Sequence, residues 1–442
     1  MKVLLVIHDF LPEARAGSEL YTYYLARELT GLGISVELFF SEAATHSRVE
    51  RRVYEGLPCT VVAKPRGRPL DVLEKPDAFV DAAFRECLDR VAPDLVHINH
   101  LLYLSMTLPK VAKARKIPVI FTLHDYWLSC LRFTRLDHRG RPCTAMSPSK
   151  CTLCCRPLYS RFSPERRPEP ASVARRAARL AYTVAFEFPA AHAAFRRRAR
   201  QVLALANDVD LSIAPSRFLR DLMIRFGLPA DQIVHLPYGI PASSPQGPRH
   251  SGRGGERLHF GYLGSILPHK GVHVLLEAFR GIDQADLSIW GGPPGYLVTE
   301  YGDVLGQPNV RFPGKIDDSQ KASLFASIDA LVVPSIWFEN APLVILEALS
   351  SRVPIFTSDI GGMKELVRHG ETGFHFPVGS ALALRRLLLS CIEDPSRLRA
   401  LTPSARDVTT IGDHTQGLLS YYHRLVSTTA DGKNRSTSQD PW

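Results

Sequence analysis

The stretch PSIWFENAPLVILEALSSRVPIFTSDIGGMKELVRHGETGF, from Pro334 to Phe374, decides how this chain is read. Ala330 to Val333 just before it and Pro354 to Thr357 inside it are short apolar runs of the kind buried in a parallel sheet. The run LVILEALSS between them has the pattern of a helix, so the unit reads strand, helix, strand. Glu339 falls in the loop after the first strand and Glu347 on the helix, so both can face one ligand near the helix N-terminus. Free backbone N–H groups and the helix dipole favour anions there, and adjacent carboxylates suit hydroxyl groups. By spacing alone, the pair also fits a helix cap and a solvated helix residue.

The same rhythm extends outward in both directions. His259 to Leu263, Leu287 to Trp290, Val310 to Phe312 and Phe374 to Phe376 read as further strands of this unit. In the first half Val3 to Ile7, Ser35 to Phe40, Thr60 to Ala63, Leu95 to Ile98 and Val119 to Leu123 read as strands, with helices over Ser18 to Leu32 and Asp77 to Val91. Val202 to Ala214 reads as a return to the strand pattern after an insertion, and Gly417 to Val426 as a last helix. The Pro, Gly and Ser-rich segment 241–256 has linker composition. The expected division is an α/β domain over 1–240 with an insertion at about 129–200, that linker, a second α/β domain over 257–405, a C-terminal helix over 406–426 returning to the first domain, and a disordered tail over 427–442. Ligands of open parallel sheets bind at the carboxyl ends of the strands, so chemistry is expected in the cleft between two facing domains.

The 442 residues carry a net charge of +10, a value that alone suits a nucleic-acid binder. The charge is local. From Ser129 to Arg200 there are 16 Arg or Lys and four acids, a surplus of 12 that leaves the rest of the chain at 10 − 12 = −2. No nucleic-acid partner is expected, because neither aromatic stacking nor zinc-finger spacing accompanies these arginines. MKVLLVIHDF reads as a first strand rather than a signal peptide, and no uncharged apolar run reaches membrane-spanning length. The eight cysteines then suit a reducing, cytoplasmic compartment where thiols stay free or bind metal.

With Pro-Ser before it, and Gly361-Gly362-x-x-Glu365 and Gly370-x-x-Gly373-Phe374 after it, the Glu339-x(7)-Glu347 pattern resembles the donor-binding domain of retaining glycosyltransferases of family 4. That family has the GT-B fold, two facing Rossmann-like domains with a cleft between them. GYLGSILPHKG, Gly261 to Gly271, is similar to the family's phosphate-binding segment, which includes Gly264 and implies that Lys270 meets the donor diphosphate. Ser265 stands where the family has arginine. AGSE, with Gly17, resembles the glycine-rich loop after the first strand, and His124 in FTLHDYW the histidine kept near the transferred sugar.

The resemblance implies roles residue by residue. His124, Glu339 and Lys270 are the catalytic set, with Glu339 on donor-sugar hydroxyls. Glu347 meets the ribose, and the backbone of Gly314 and Lys315 meets the base. Asn340, Pro342 and Leu343 complete the donor-binding loop. The expected enzyme is retaining and needs no metal for catalysis. It takes a UDP- or GDP-sugar and a glycan or lipid-linked glycan acceptor, at the inner face of the cytoplasmic membrane. A GT-B scaffold with weak or no turnover is the alternative, since Ser265 removes a cation.

Two features of the insertion stand apart. Cys130, Cys143, Cys151 and Cys154, with Cys155 adjacent, follow the spacing C-x(12)-C-x(7)-C-x(2)-C, which suits a structural zinc, free buried thiols, or disulfides in an oxidising compartment. Val173, Ala177, Leu180 and Val184 recur at helical spacing among Arg175, Arg176 and Arg179, which gives a basic amphipathic helix for anionic lipid or a solvated helix covering the domain.

Overall fold

The computed structural model describes residues 1–66, 76–144, 147–159, 173–241, 257–293 and 295–436. The expected linker beyond Pro241, the arginines between 160 and 172 and the last residues from 437 lie outside the described residues.

Two sheets form the frame. The first has eight strands in the order β3-β4-β2-β1-β5-β6-β7-β8, and the second has six in the order β11-β10-β9-β12-β13-β14. In the first, β1 (Lys2–Ile7) lies parallel between β2 (Ser35–Ala43) and β5 (Leu95–Ile98), followed by β6 (Val119–Thr122), β7 (Leu211–Ala214) and β8 (Ile233–His235). In the second, β9 (Leu258–Leu263) lies between β10 (Ala285–Trp290) and β12 (Ala330–Val333), with β11 (Val310–Gly314) at one edge and β13 (Ile355–Ser358) and β14 (Gly373–Phe376) at the other. The central strands β1, β5 and β6 are almost wholly apolar and buried, as a sheet covered on both faces requires. These are the two Rossmann-like halves of a GT-B fold.

Three elements depart from the sequence reading. Strand β3 (Arg48–Tyr54) runs antiparallel to β4 (Leu57–Lys64) at the sheet edge, and its charged residues Arg48, Glu50, Arg51 and Arg52 hid it. Charged edge strands block further pairing, so polarity here marks position and not a loop. Val202 belongs to the helix Phe188–Asn207, and the strand begins only at Leu211. The last helix runs from Ile411 to Ser436, beyond Gly417 to Val426 at both ends and into the tail expected to be disordered. Once its packed turns have formed, each further residue adds one backbone hydrogen bond at low cost.

That helix returns to the first domain. Tyr422 Oη meets His97 Nδ1 on β5 at 2.5 Å, and His414 Nε2 meets Tyr21 Oη at 2.8 Å. The domains also share apolar packing: Phe218 of the first stacks on Phe338 of the second with ring centroids 4.8 Å apart.

Candidate active site

Glu339 is placed by a clamp of backbone. Gly362 N donates to the Glu339 carbonyl at 2.9 Å, and a Cβ at Gly362 would lie 1.5 Å from the Asn340 carbonyl oxygen. Only glycine permits that approach. Gly271, at φ +72°, passes Pro334 in the same way, its Cβ position 1.9 Å from the Pro334 oxygen. These two glycines press the 334–341 loop between the turn after β9 and the turn after β13.

Within the clamp Lys270 Nζ reaches Glu339 Oε1 at 2.7 Å, and Ser335 Oγ donates to the same oxygen at 2.9 Å. Glu339 is 6% exposed, while the Lys270 side chain keeps 26% of its surface open and lies over the Trp337 ring at 5.1 Å. The result is a cation held by a buried carboxylate, with one side open to the cleft. The helix Leu343–Ser350 starts beside it, with Pro342 as its extended N-cap and no side-chain cap. Gly264 and Ser265 follow β9, and the Ser265 carbonyl accepts from Tyr262 Oη at 2.8 Å.

Glu347 lies one step away in a charge chain. Its Oε1 meets Lys321 Nζ at 2.6 Å, Lys321 meets Asp318 Oδ1 at 3.0 Å, and Asp318 Oδ2 meets Arg15 of the first domain at 2.5 Å. Burial pushes the Glu347 carboxyl up, and Lys321 draws it back toward the charged form. Asp318 ends below the usual carboxylate range, because Arg15 and Lys321 outweigh its burial. Gly314, at φ +90°, and the exposed Lys315 sit at the carboxyl end of β11.

On the facing side His124 follows β6. Its Nε2 meets Asn99 Oδ1 at 3.2 Å and its Nδ1 the hydroxyl of Tyr238. Burial, reinforced by His100, His97 and His414, holds its pKa well below the ordinary value, so the ring is neutral at pH 7. His8 and His100 lie beside it with ring centroids 4.5 Å apart. His8 Nε2 faces Glu19 Oε1 at 3.4 Å and His100 Nε2 faces Asp125 Oδ2 at 3.4 Å. Gly17 opens the helix Gly17–Gly31, with no side-chain cap from Ala16 and no atom within 4 Å of its Cβ position.

Sequence reading missed His8, Asn99, His100, Asp125 and Tyr238. The first four follow strands β1, β5 and β6 directly, so the rule that sites lie at carboxyl ends of strands points to them. Tyr238 arrives from a loop after β8, and no local signal marks it.

Asn340 sits between the two halves. Its Nδ2 donates to the carbonyls of Leu123 at 3.0 Å and His124 at 3.2 Å, and Ser216 Oγ donates to its Oδ1 at 2.6 Å. Its side chain therefore bridges the domains. Glu365, from the Gly-Gly-x-x-Glu pattern, likewise accepts from the backbone N–H groups of Arg217 at 2.8 Å and Phe218 at 2.5 Å.

In the insertion, Cys130, Cys143, Cys151, Cys154 and Cys155 line one cavity. The helix Val173–Tyr182 contains no buried residue.

The family described as "Glycosyl transferase 4-like domain" matches residues 16–239, and "Glycosyl transferases group 1" matches residues 246–408. Among curated proteins, the phosphatidyl-myo-inositol mannosyltransferase of Mycobacterium leprae is 30% identical over 170 residues, 36% of this chain and 44% of that protein. The D-rhamnosyltransferase WbpZ of Pseudomonas aeruginosa is 30% identical over 148 residues, covering 33% and 39%. The chain thus spans less than half the length of these two relatives. Among solved structures, Anabaena Alr3699/HepE in complex with UDP and glucose superposes over 100% of both chains at 18% identity and a TM-score of 0.60. Sucrose-phosphate synthase from Thermosynechococcus elongatus covers 99% of this chain and 100% of its own at 18% identity and a TM-score of 0.61. Both share the fold.

Proposed function

Because the chain belongs to the glycosyl transferase 4-like family, we propose that it moves a sugar from a nucleotide-sugar donor to a glycan or lipid-linked glycan acceptor, with retention of anomeric configuration. The observation that carries this reading is the Lys270–Glu339 pair at the cleft. As the glycosidic bond to phosphate breaks, the leaving nucleoside diphosphate gains negative charge while the sugar becomes oxocarbenium-like. Lys270 and the uncapped N–H groups of the helix Leu343–Ser350 supply preorganised positive charge for that group, so we read the transfer as metal-independent. Glu339, released from Lys270 when phosphate takes its place, accepts from donor-sugar hydroxyls.

Glu347 holds the ribose and the Gly314–Lys315 backbone the base. His124, neutral and fixed by Asn99 and Tyr238, hydrogen-bonds the sugar near its anomeric carbon. The acceptor hydroxyl attacks the face that the phosphate leaves, and the departing phosphate takes its proton. Binding of UDP and glucose by Alr3699/HepE makes UDP-glucose the first donor to try, with GDP-sugars next. The test is product formation from a panel of nucleotide-sugars, with the anomeric configuration read by NMR. An inverted product, or no turnover with any donor, sinks the reading. Ser265 in place of arginine favours a second reading, a scaffold that binds nucleotide-sugar without turnover, and donor binding without product release supports that one.

We also place the enzyme at the inner face of the cytoplasmic membrane. Among the described residues no helix is long and apolar enough to cross a membrane. Val173 is 80% exposed, Leu180 58%, Val184 62% and Phe186 65%, within an arginine-rich segment, the composition of a helix that lies on anionic lipid. Sedimentation with phosphatidylglycerol vesicles but not with phosphatidylcholine, and loss of it in Val184→Asp, is the expected result. Equal recovery with both lipids rejects the placement.

A further inference from the structure

The carboxyl ends of β1, β5 and β6 bring a set of polar side chains together beside His124. Val6 of β1 pairs in register with Ile98 of β5, so His8 and His100, each two residues further on, emerge side by side with ring centroids 4.5 Å apart. Asn99 and Asp125 leave the ends of β5 and β6, and the first turn of the helix Gly17–Gly31 adds Glu19. Glu19 is 3% exposed, Asn99 0% and His100 4%, so these groups have given up water and need partners within the fold or in a ligand.

Most of the hydrogen-bonding capacity here is matched. The Leu102 N–H donates to His100 Nδ1 at 3.0 Å, which puts the ring proton on Nε2, facing Asp125 Oδ2 at 3.4 Å. Asp125 Oδ1 accepts from the Trp127 N–H at 2.7 Å. Ser18 Oγ donates to Glu19 Oε2 at 2.9 Å, and Glu19 Oε1 faces His8 Nε2 at 3.4 Å, which draws the His8 proton to Nε2. Two atoms are left over. His8 Nδ1, then a bare lone pair, and Asn99 Nδ2, a donor, are both buried and have no partner among the described residues. Asn99 Oδ1 holds His124 Nε2 at 3.2 Å, so the unmatched atoms border the histidine read as meeting the transferred sugar.

The two atoms are of opposite sense. A hydroxyl group both donates and accepts, so the hydroxyls of one ligand can meet both. A phosphate or carboxylate offers lone pairs only and leaves His8 Nδ1 unmet. Charge points the same way. Burial, with His100, His124 and Arg66 nearby, holds the His8 pKa well below its ordinary value, so its ring is neutral at pH 7. An anion entering here meets the acids Glu19 and Asp125, and the nearby Arg66 is already engaged by Asp9.

We propose that His8 and Asn99 bind the acceptor, that Glu19 positions His8, and that the sugar unit received there is neutral and recognised through its hydroxyls. This rests on the transferase reading above, and it narrows the acceptor to one whose receiving unit carries no phosphate or carboxylate. The cluster has a mouth toward solvent. His8 keeps 15% of its side chain open and Asp125 28%, and the exposed Gly17, at the head of the helix that carries Glu19, has no atom within 4 Å of its Cβ position.

Saturation-transfer NMR on the full chain, with UDP present, compares the methyl glycosides of glucose, galactose, mannose, rhamnose and N-acetylglucosamine with methyl glucuronide. At least one neutral glycoside should bind, about tenfold or more tighter than the glucuronide. His8→Phe, which keeps a ring but no nitrogen, should weaken that binding about tenfold, as loss of a hydrogen bond to substrate does. His8→Asn, which keeps an acceptor near the Nδ1 position, should recover most of it, and Glu19→Gln should weaken it less than His8→Phe. UDP affinity should stay within about twofold in all three variants. No binding of any neutral glycoside, equal or tighter binding of the glucuronide, or unchanged binding in His8→Phe overturns the site. The wild-type preference decides even where a variant does not fold. Failure of the transferase reading has a different signature: no transfer from any nucleotide-sugar, while neutral glycosides still bind through His8, overturns that reading alone. Efficient transfer onto a glucuronide acceptor overturns the neutral site alone.

Discussion

Asn340 Nδ2, from the donor-side loop, donates to the carbonyl oxygen of His124, at the end of a strand in the other domain, at 3.2 Å. With the Leu123 carbonyl and Ser216 Oγ as its other partners, this side chain sets the spacing between Glu339 and His124. Asn340→Leu takes the Nδ2 donor from the Leu123 and His124 carbonyls and the acceptor from Ser216 Oγ, which keeps only the Leu219 N–H, a loss of about 2 to 4 kcal/mol. The expected result is a lower unfolding temperature and reduced turnover with donor affinity nearly kept, measured by thermal unfolding and donor titration. Unchanged turnover would separate the bridge from function.

The Lys270–Glu339 pair leads to a sharper kinetic outcome. Removing a preorganised group that stabilises developing charge typically costs about 10² to 10³ in rate. Lys270→Ala should lower transfer by that order, and Glu339→Gln should raise the donor KM while keeping the side-chain shape. Nucleoside diphosphate release checks both, with circular dichroism confirming the fold. Wild-type rates in both variants remove these residues from the site.

The glycines divide by the space around them. Gly362→Ala puts a methyl group 1.5 Å from the Asn340 oxygen and must displace the clamp. It should cost about 3 kcal/mol or more, as overpacking against backbone does, and abolish transfer. Gly17→Ala meets nothing within 4 Å and starts a helix, so stability should hold or rise slightly. Any activity lost in Gly17→Ala then reports ligand approach to this loop. Denaturant unfolding and transfer assays on both variants provide the comparison.

Acid should loosen the return of the last helix to the first domain. Burial lowers His97 from 6.5 to about 3 and His414 from 6.5 to about 4. Both are neutral when folded, and the unfolded chain takes up their protons first. Their contribution is therefore intact above pH 6.5 and is lost as pH falls from there toward 4, by about 1.4 kcal/mol per pH unit for each histidine. Denaturant melts at pH 7 and pH 5 measure the slope, and His97→Gln should reduce it. A slope that does not change in the variant assigns the acid sensitivity elsewhere.

Much of the framework was legible before any coordinates. Val3 to Ile7, Leu95 to Ile98 and Ala330 to Val333 fall in strands because apolar runs in a parallel sheet are buried on both faces and cannot be polar. Strand β3 was hidden because an edge is charged, and the end of the last helix because its polar turns carry no packing pattern. His8 and His100 were within reach of the strand-end rule, whereas Tyr238 comes to His124 from a different part of the chain.

The sequence by itself determined the two α/β repeats, the placement of Lys270, Glu339 and Glu347 in one domain, and the confinement of the positive charge to the insertion. Periodicity and local motifs encode these, because each depends on residues close together along the chain. Only the tertiary structure decided that Asn340 spans the domains, that Arg15 closes the chain of ion pairs to Glu347, and that two arginines are buried among the cysteines. Such pairings depend on distances between residues far apart in sequence, and packing alone sets them.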